Sequence, residues 1–111
     1  MITVAEMPEY IRRSEKLLSL DERLGIVDFL AKRPKAGDLI EGTGGIRKLR
    51  WGYGGRGKSG GARVIYYYHS VDMPLYLLTM FAKNERANLS KAECNELARM
   101  VDILIDIWLE R

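Results

Sequence analysis

Ala62-Arg63-Val64-Ile65-Tyr66-Tyr67-Tyr68-His69, the turn Val71-Asp72-Met73-Pro74, and Leu75-Tyr76-Leu77-Leu78-Thr79-Met80-Phe81-Ala82 decide the fold. β-Branched and aromatic residues dominate the first run, which reads as a strongly β-prone strand. The turn residues then reverse the chain. The second run is nearly all apolar, so a strand here is expected to be covered on both sides. Upstream, Ile46-Arg47-Lys48-Leu49-Arg50-Trp51 reads as a further strand, with Ile46, Lys48 and Arg50 on one face and Arg47, Leu49 and Trp51 on the other. Between them, Gly52 to Gly61 is too glycine-rich for regular structure and reads as a loop.

The flanks read as helices. A weakly alternating Ile2 to Met7 suggests a short first strand, and Pro8 suits the first turn of a helix carrying Tyr10, Ile11, Ser14, Leu17 and Leu18. Ser19-Leu20-Asp21-Glu22 is a capping box opening a second helix. Its apolar face is expected at Leu20, Leu24, Val27 and Ala31, widened by Ile26 and Leu30, and Pro34 ends it. Lys35-Ala36-Gly37-Asp38 and Gly42-Thr43-Gly44-Gly45 read as turns. Ser90-Lys91-Ala92-Glu93 is a second capping box. The helix it opens carries two apolar stripes, Leu97/Val101/Leu104/Trp108 and Met100/Ile103/Ile107, and is expected to pack on more than one side. The order is β-α-α-β-β-β-α. The expected class is α+β: a small antiparallel sheet, a helical hairpin on one face and a terminal helix at its edge.

Composition bounds the rest. With 111 residues the chain has room for one domain, residues 1–111, and one core. The single cysteine, Cys94, excludes an internal disulfide framework and a cysteine-built metal site, and fits a reducing compartment. No apolar run approaches the ~18 residues of a membrane span, and the N-terminus lacks a signal-peptide pattern. A cytoplasmic protein without membrane contact is expected.

The net charge of +3 conceals an asymmetry. Gly42 to Arg63 holds Arg47, Lys48, Arg50, Arg56, Lys58 and Arg63, no acid, and nine of the 11 glycines. A local charge of +6 in an otherwise acidic chain is the footprint of a polyanion site. Trp51, Tyr53 and Tyr67 add rings on which bases could stack. Gly52-Tyr53-Gly54-Gly55-Arg56-Gly57-Lys58-Ser59 matches the phosphate-loop pattern of nucleotide hydrolases by letter. A strand follows it where that loop needs a helix, so nucleotide hydrolysis is not expected. His69 is the only histidine, with no partner set for a triad, and is read as incidental. A cationic cluster can also promote RNA cleavage by the neighbouring 2′-hydroxyl. Arginine stabilises charge on phosphate, and a lysine among arginines can have its pKa lowered enough to accept a proton.

Three ordered motifs carry a resemblance. Gly42-Thr43-Gly44-Gly45-Ile46-Arg47-Lys48-Leu49-Arg50-Trp51, Gly55 to Tyr67, and Leu77-Leu78-Thr79-Met80-Phe81-Ala82-Lys83-Asn84-Glu85 together resemble the HigB-like branch of the RelE/ParE toxin superfamily. The resemblance implies a microbial-RNase-like fold and a type II toxin. It implies a ribosome-dependent endoribonuclease that cuts translated mRNA with no cofactor and no metal, and inhibits translation. It also implies a cognate antitoxin, often of helix-turn-helix type. Matched by motif, Arg63, Lys83 and Lys58 are the expected catalytic residues. Arg47, Lys48, Arg50, Arg56, Trp51 and Tyr67 are the expected RNA contacts. The Tyr or His that well-known members place near the C-terminus has no counterpart after Tyr76, which leaves the general base unassigned. A ParE-like gyrase inhibitor and a non-catalytic RNA-binding module are the alternatives. Codon preference and homo-oligomerisation stay open.

Overall fold

The computed structural model describes residues 2–54 and 61–110. Arg56 and Lys58 therefore lie outside the described residues. The elements are β1 (Val4–Glu6), α1 (Pro8–Leu17), α2 (Leu20–Lys32), β2 (Asp38–Leu39), β3 (Ile46–Trp51), β4 (Ala62–Tyr67), β5 (Leu75–Ala82) and α3 (Lys91–Leu109). They form one five-stranded sheet in the order β1-β5-β4-β3-β2.

The two capping boxes form as their spacing predicts. Ser19 Oγ accepts from the Glu22 amide and the Glu22 carboxylate accepts from the Ser19 amide. Ser90 and Glu93 repeat the arrangement at α3. Strands β3 and β5 have the bounds expected of them, and all of β5 except Tyr76 is buried. Strand β4 stops at Tyr67, two residues short of the expected end.

Three features correct the expected layout. Strand β1 pairs in parallel with β5, so the sheet is mixed rather than wholly antiparallel. Its position is held by Leu75 donating to the Thr3 carbonyl and Met7 donating to that of Leu77. Asp38 and Leu39 form a short edge strand against Lys48 and Arg47, where only a turn was expected. Third, α3 lies on a sheet face and not at its edge. Tyr10, Leu18, Ile26 and Leu30 of the helical hairpin pack with Leu49, Val64, Tyr66, Leu77 and Met80. Val101 and Ile105 of α3 pack with Ile46, Ile65, Tyr67, Leu78 and Phe81. Side chains alternate along a strand, so the two clusters occupy opposite faces. A slip in register between Ile65 and Tyr66 accommodates Leu78 as the extra residue.

Both helix faces are also narrower than expected. On α2, Ile26, Leu30 and Ala31 are buried while Leu20 and Leu24 stay exposed. On α3, Ile103 and Ile107 are exposed rather than packed on a second side.

The hairpin core is tied down by Tyr66. Its hydroxyl donates to the Pro34 carbonyl at 2.9 Å and accepts from the Gly37 amide at 2.8 Å. A Cβ at Gly37 would stand 2.8 Å from the Tyr66 ring, so only glycine allows that approach. Tyr10 is its opposite. It is fully buried, and its hydroxyl has no hydrogen-bond partner among the described residues. Burial, reinforced by the charge of Glu6, raises its pKa. Removing an unsatisfied buried hydroxyl removes a desolvation cost, so Tyr10→Phe is expected to stabilise the protein by about 1 kcal/mol. Urea titration of both proteins checks this; a loss of stability would show that the hydroxyl has a partner.

Candidate polyanion-binding site

Strand register sorts the basic residues by face. Arg50 of β3, Arg63 of β4 and Phe81 of β5 lie side by side in one cross-strand row. Lys48, Ile65 and Thr79 form the adjacent row. Directly opposed side chains on neighbouring strands have Cβ atoms about 5 Å apart, and like charges there repel. Arg50 is exposed, but Arg63 is only 5% exposed. Its Nη1 donates to the Ala62 carbonyl at 3.3 Å. Burial, and then the charge of Arg50, lower the pKa of Arg63. An anion between Arg50 and Arg63 would offset the repulsion between the two guanidinium groups.

The row sits at the sheet end where β3, β4 and β5 meet the glycine loop. The Lys83 amide donates to the Gly61 carbonyl at 2.9 Å, which fixes the turn after β5 beside the start of β4. Lys83 itself is exposed. Lys48 Nζ donates to Asn88 Oδ1 at 3.1 Å, linking the second row to the segment before α3. The Gly54 amide donates to the Glu22 carboxylate at 3.2 Å, so the other leg of the loop is anchored on α2.

Arg86 completes this corner. Its guanidinium stacks over Phe81, 4.9 Å from the ring centroid. Its Nη1 donates to both carboxylate oxygens of Glu93, at 2.6 and 2.7 Å. The Arg86 hydrogen bond, then the Ser90 amide, pull the Glu93 pKa down to about 2. Glu93 thus stabilises the fold when ionised. That contribution is complete above its ordinary pKa near 4.5 and is lost as pH falls toward 2. Glu93→Gln is expected to flatten the stability–pH curve across that window, measured as denaturation midpoints at each pH. An unchanged curve would show that other carboxylates dominate.

The structure brings together Arg50, Arg63 and Lys48 on one face, with Lys83 at the same sheet end. It places three other candidates differently. Arg47 points to the hairpin side, where Nη1 donates to the carbonyls of Lys35 and Gly37 at 3.2 and 2.7 Å. Trp51, on that face too, meets Phe29 edge-on with centroids 5.7 Å apart. Tyr67 is buried under α3, with its hydroxyl 3.1 Å from His69 Nδ1. Neither ring is presented for stacking. His69 follows the far end of β4, roughly 20 Å from Arg63 along the strand. Sequence reasoning missed Arg86 and Asn88. The capping glutamate Glu93, seven residues beyond Arg86, was the available signal. Among the described residues no group of three or more His, Cys, Asp or Glu side chains gathers as a metal would need. No helix there is long and apolar enough to cross a membrane.

Helices on both faces of a mixed sheet, with a cationic corner at one end, define a small α+β protein built around β3, β4 and β5. Residues 31–110 match the family described as the RelE toxin of the RelE / RelB toxin-antitoxin system. The chain belongs to that family. It is a toxin of a toxin–antitoxin pair, and an antitoxin is its partner.

Proposed function

We propose that the protein, residues 1–111 as one toxin domain of the HigB-like branch, is a ribosome-dependent endoribonuclease. In this reading it acts in the cytoplasm on translated mRNA and so inhibits translation, and its antitoxin is of helix-turn-helix type. The observation that carries the reading is the opposed pair Arg50 and Arg63, one exposed and one buried, in a row that a phosphate diester would neutralise.

The chemistry is attack by a ribose 2′-oxygen on the adjacent phosphorus. The new oxygen–phosphorus bond forms as the bond to the 5′-oxygen breaks, leaving a cyclic phosphate and a 5′-hydroxyl. Arg63 faces the non-bridging oxygens, where negative charge grows. Arg50 and Lys48 hold the flanking backbone phosphate. Lys83, at the same end of the sheet, supplies a cation or a proton to the leaving oxygen. Lys58 is the candidate proton acceptor. Protein cations thus supply the charge that a metal provides in other nucleases.

The test is to induce the protein and map mRNA 5′ ends in ribosome-bound and free RNA. New ends confined to ribosome-bound mRNA are expected, with plasmid supercoiling unchanged. Altered supercoiling with intact mRNA would replace this reading with gyrase inhibition. Ribosome binding without new ends would replace it with a non-catalytic module.

A further inference from the structure

The turn after β5 carries Lys83, and a side chain from the other end of the sequence braces it. Strand β1 flanks β5 only from Leu75 to Leu77, so among the described residues no strand lies beside Leu78 to Ala82 on that side. Helix α1, which packs on β5, reaches the end of the strand through Arg13.

Glu85 closes the turn on itself. Its amide donates to the Ala82 carbonyl at 3.0 Å, and its carboxylate accepts from the Ala82 amide at 3.1 Å. Arg13 grips the same carboxylate from 72 positions away, Nη1 donating to Oε1 at 3.3 Å and to Oε2 at 3.1 Å. The guanidinium is itself oriented, because Nε donates to Glu9 Oε1 at 3.2 Å. The Ala82 amide, and then Arg13, hold the Glu85 carboxyl below its ordinary range.

A lysine ammonium rides on a flexible four-carbon stem, so the backbone beneath it sets where it can reach. At Lys83 that backbone is pinned twice. The Lys83 amide donates to the Gly61 carbonyl, and the braced Glu85 lies two residues on. The Arg13–Glu85 pair is partly exposed, and such pairs add little to stability. Losing it leaves the fold standing but widens the range of the turn, and small displacements of a reacting group cost rate steeply.

We infer, resting on the nuclease reading above, that Arg13 acting through Glu85 is a positioning residue that holds Lys83 at the cationic end of the sheet.

The test uses full-length toxin, freed from its antitoxin in denaturant and refolded, in excess over ribosomes translating a defined mRNA. Cleavage rate against toxin concentration separates the maximal rate from the half-saturating concentration. Arg13→Met removes the brace. Glu85→Gln removes the ion pair but keeps an oxygen for the Ala82 amide. Each is expected to lower the maximal rate about tenfold, with the half-saturating concentration and the urea midpoint near those of wild type. Arg13→Lys should recover part of the loss. In Lys83→Ala neither substitution should slow cleavage further. Arg12→Met, which removes the 2.6 Å pair with Glu9 one residue away, should cleave as wild type. Undiminished rates in Arg13→Met and Glu85→Gln, beside a cleaving wild type, overturn the positioning role and leave the nuclease reading standing. The same fold loss with and without Lys83 also overturns it, because the pair would then act on the fold and not on that ammonium. An equal loss in Arg12→Met does so too. A wild type that binds ribosomes and makes no new ends overturns the nuclease reading, and the positioning role with it.

Discussion

Arg63→Met is expected to abolish growth arrest while the protein stays folded. In the folded protein the guanidinium is nearly buried and stands directly across from Arg50. Both circumstances lower its pKa. Arginine is charged throughout the accessible pH range, so the site holds a cation at every pH at which the protein is folded. Methionine keeps length and apolar stem while removing the charge, and the melting temperature read alongside shows that the variant is folded. Removing a cation aimed at developing phosphate charge costs about 10²–10³ in rate, as loss of an oxyanion donor does. Arg63→Lys should fall between, because an ammonium supplies charge without the planar fork. Thermal denaturation read together with growth and ribosome-bound mRNA cleavage checks both halves. Undiminished toxicity in Arg63→Met would remove Arg63 from the site.

Gly61→Ala is expected to cost about 3 kcal/mol, the upper end for a side chain forced into filled space. Gly61 stands at the neck of the glycine loop. A Cβ there would overlap the Trp51 carbonyl oxygen and lie 3.0 Å from the Gly52 Cα. Backbone cannot swing aside as a side-chain tip can. The ends of β3 and β4 must part, and the Lys83 amide, bonded to the Gly61 carbonyl, must follow or lose its acceptor. Arg63 is two residues further on, in β4, so toxicity should fall with stability. The shift in urea midpoint measures the first effect and a growth assay the second. A midpoint within error of wild type would show that the neck yields without cost.

Much of this was legible because the determining interactions are local. The capping boxes at Ser19 and Ser90 need only four consecutive residues, and they set the starts of α2 and α3. The glycine loop that matched a nucleotide-binding pattern was rejected on the strand that follows it. In the structure that loop joins β3 to the antiparallel β4. What failed was set by contacts distant in sequence. Seven apolar residues spread around α2, and only the position of the sheet decides that Ile26 and Leu30 face inward while Leu20 and Leu24 do not. Asp38 and Leu39 become a strand solely through pairing with β3. The alternation of β3 already separated Arg47 and Trp51 from Lys48 and Arg50. Yet charge and aromaticity alone made all four look like RNA contacts. Tyr67 shares the face of Arg63 but lies under α3, and no pattern along β4 distinguishes a covered position from an open one. Arg86 carried no motif of its own. Its place depends on Phe81 beneath it and Glu93 beside it.

Those two capping glutamates have another consequence. Glu22 and Glu93 each close a helix start and also hold a piece of the cationic corner, the Gly54 amide in one case and Arg86 in the other. Opening the first turn of either helix therefore releases a support of the corner. By linkage, an anion that binds only the assembled corner must make those turns harder to open. Amide hydrogens at the starts of α2 and α3, rather than those of the strands that carry Arg50 and Arg63, become the reporters of occupancy. The protein carries its own gauge for occupancy of the corner, readable by exchange in deuterated solvent.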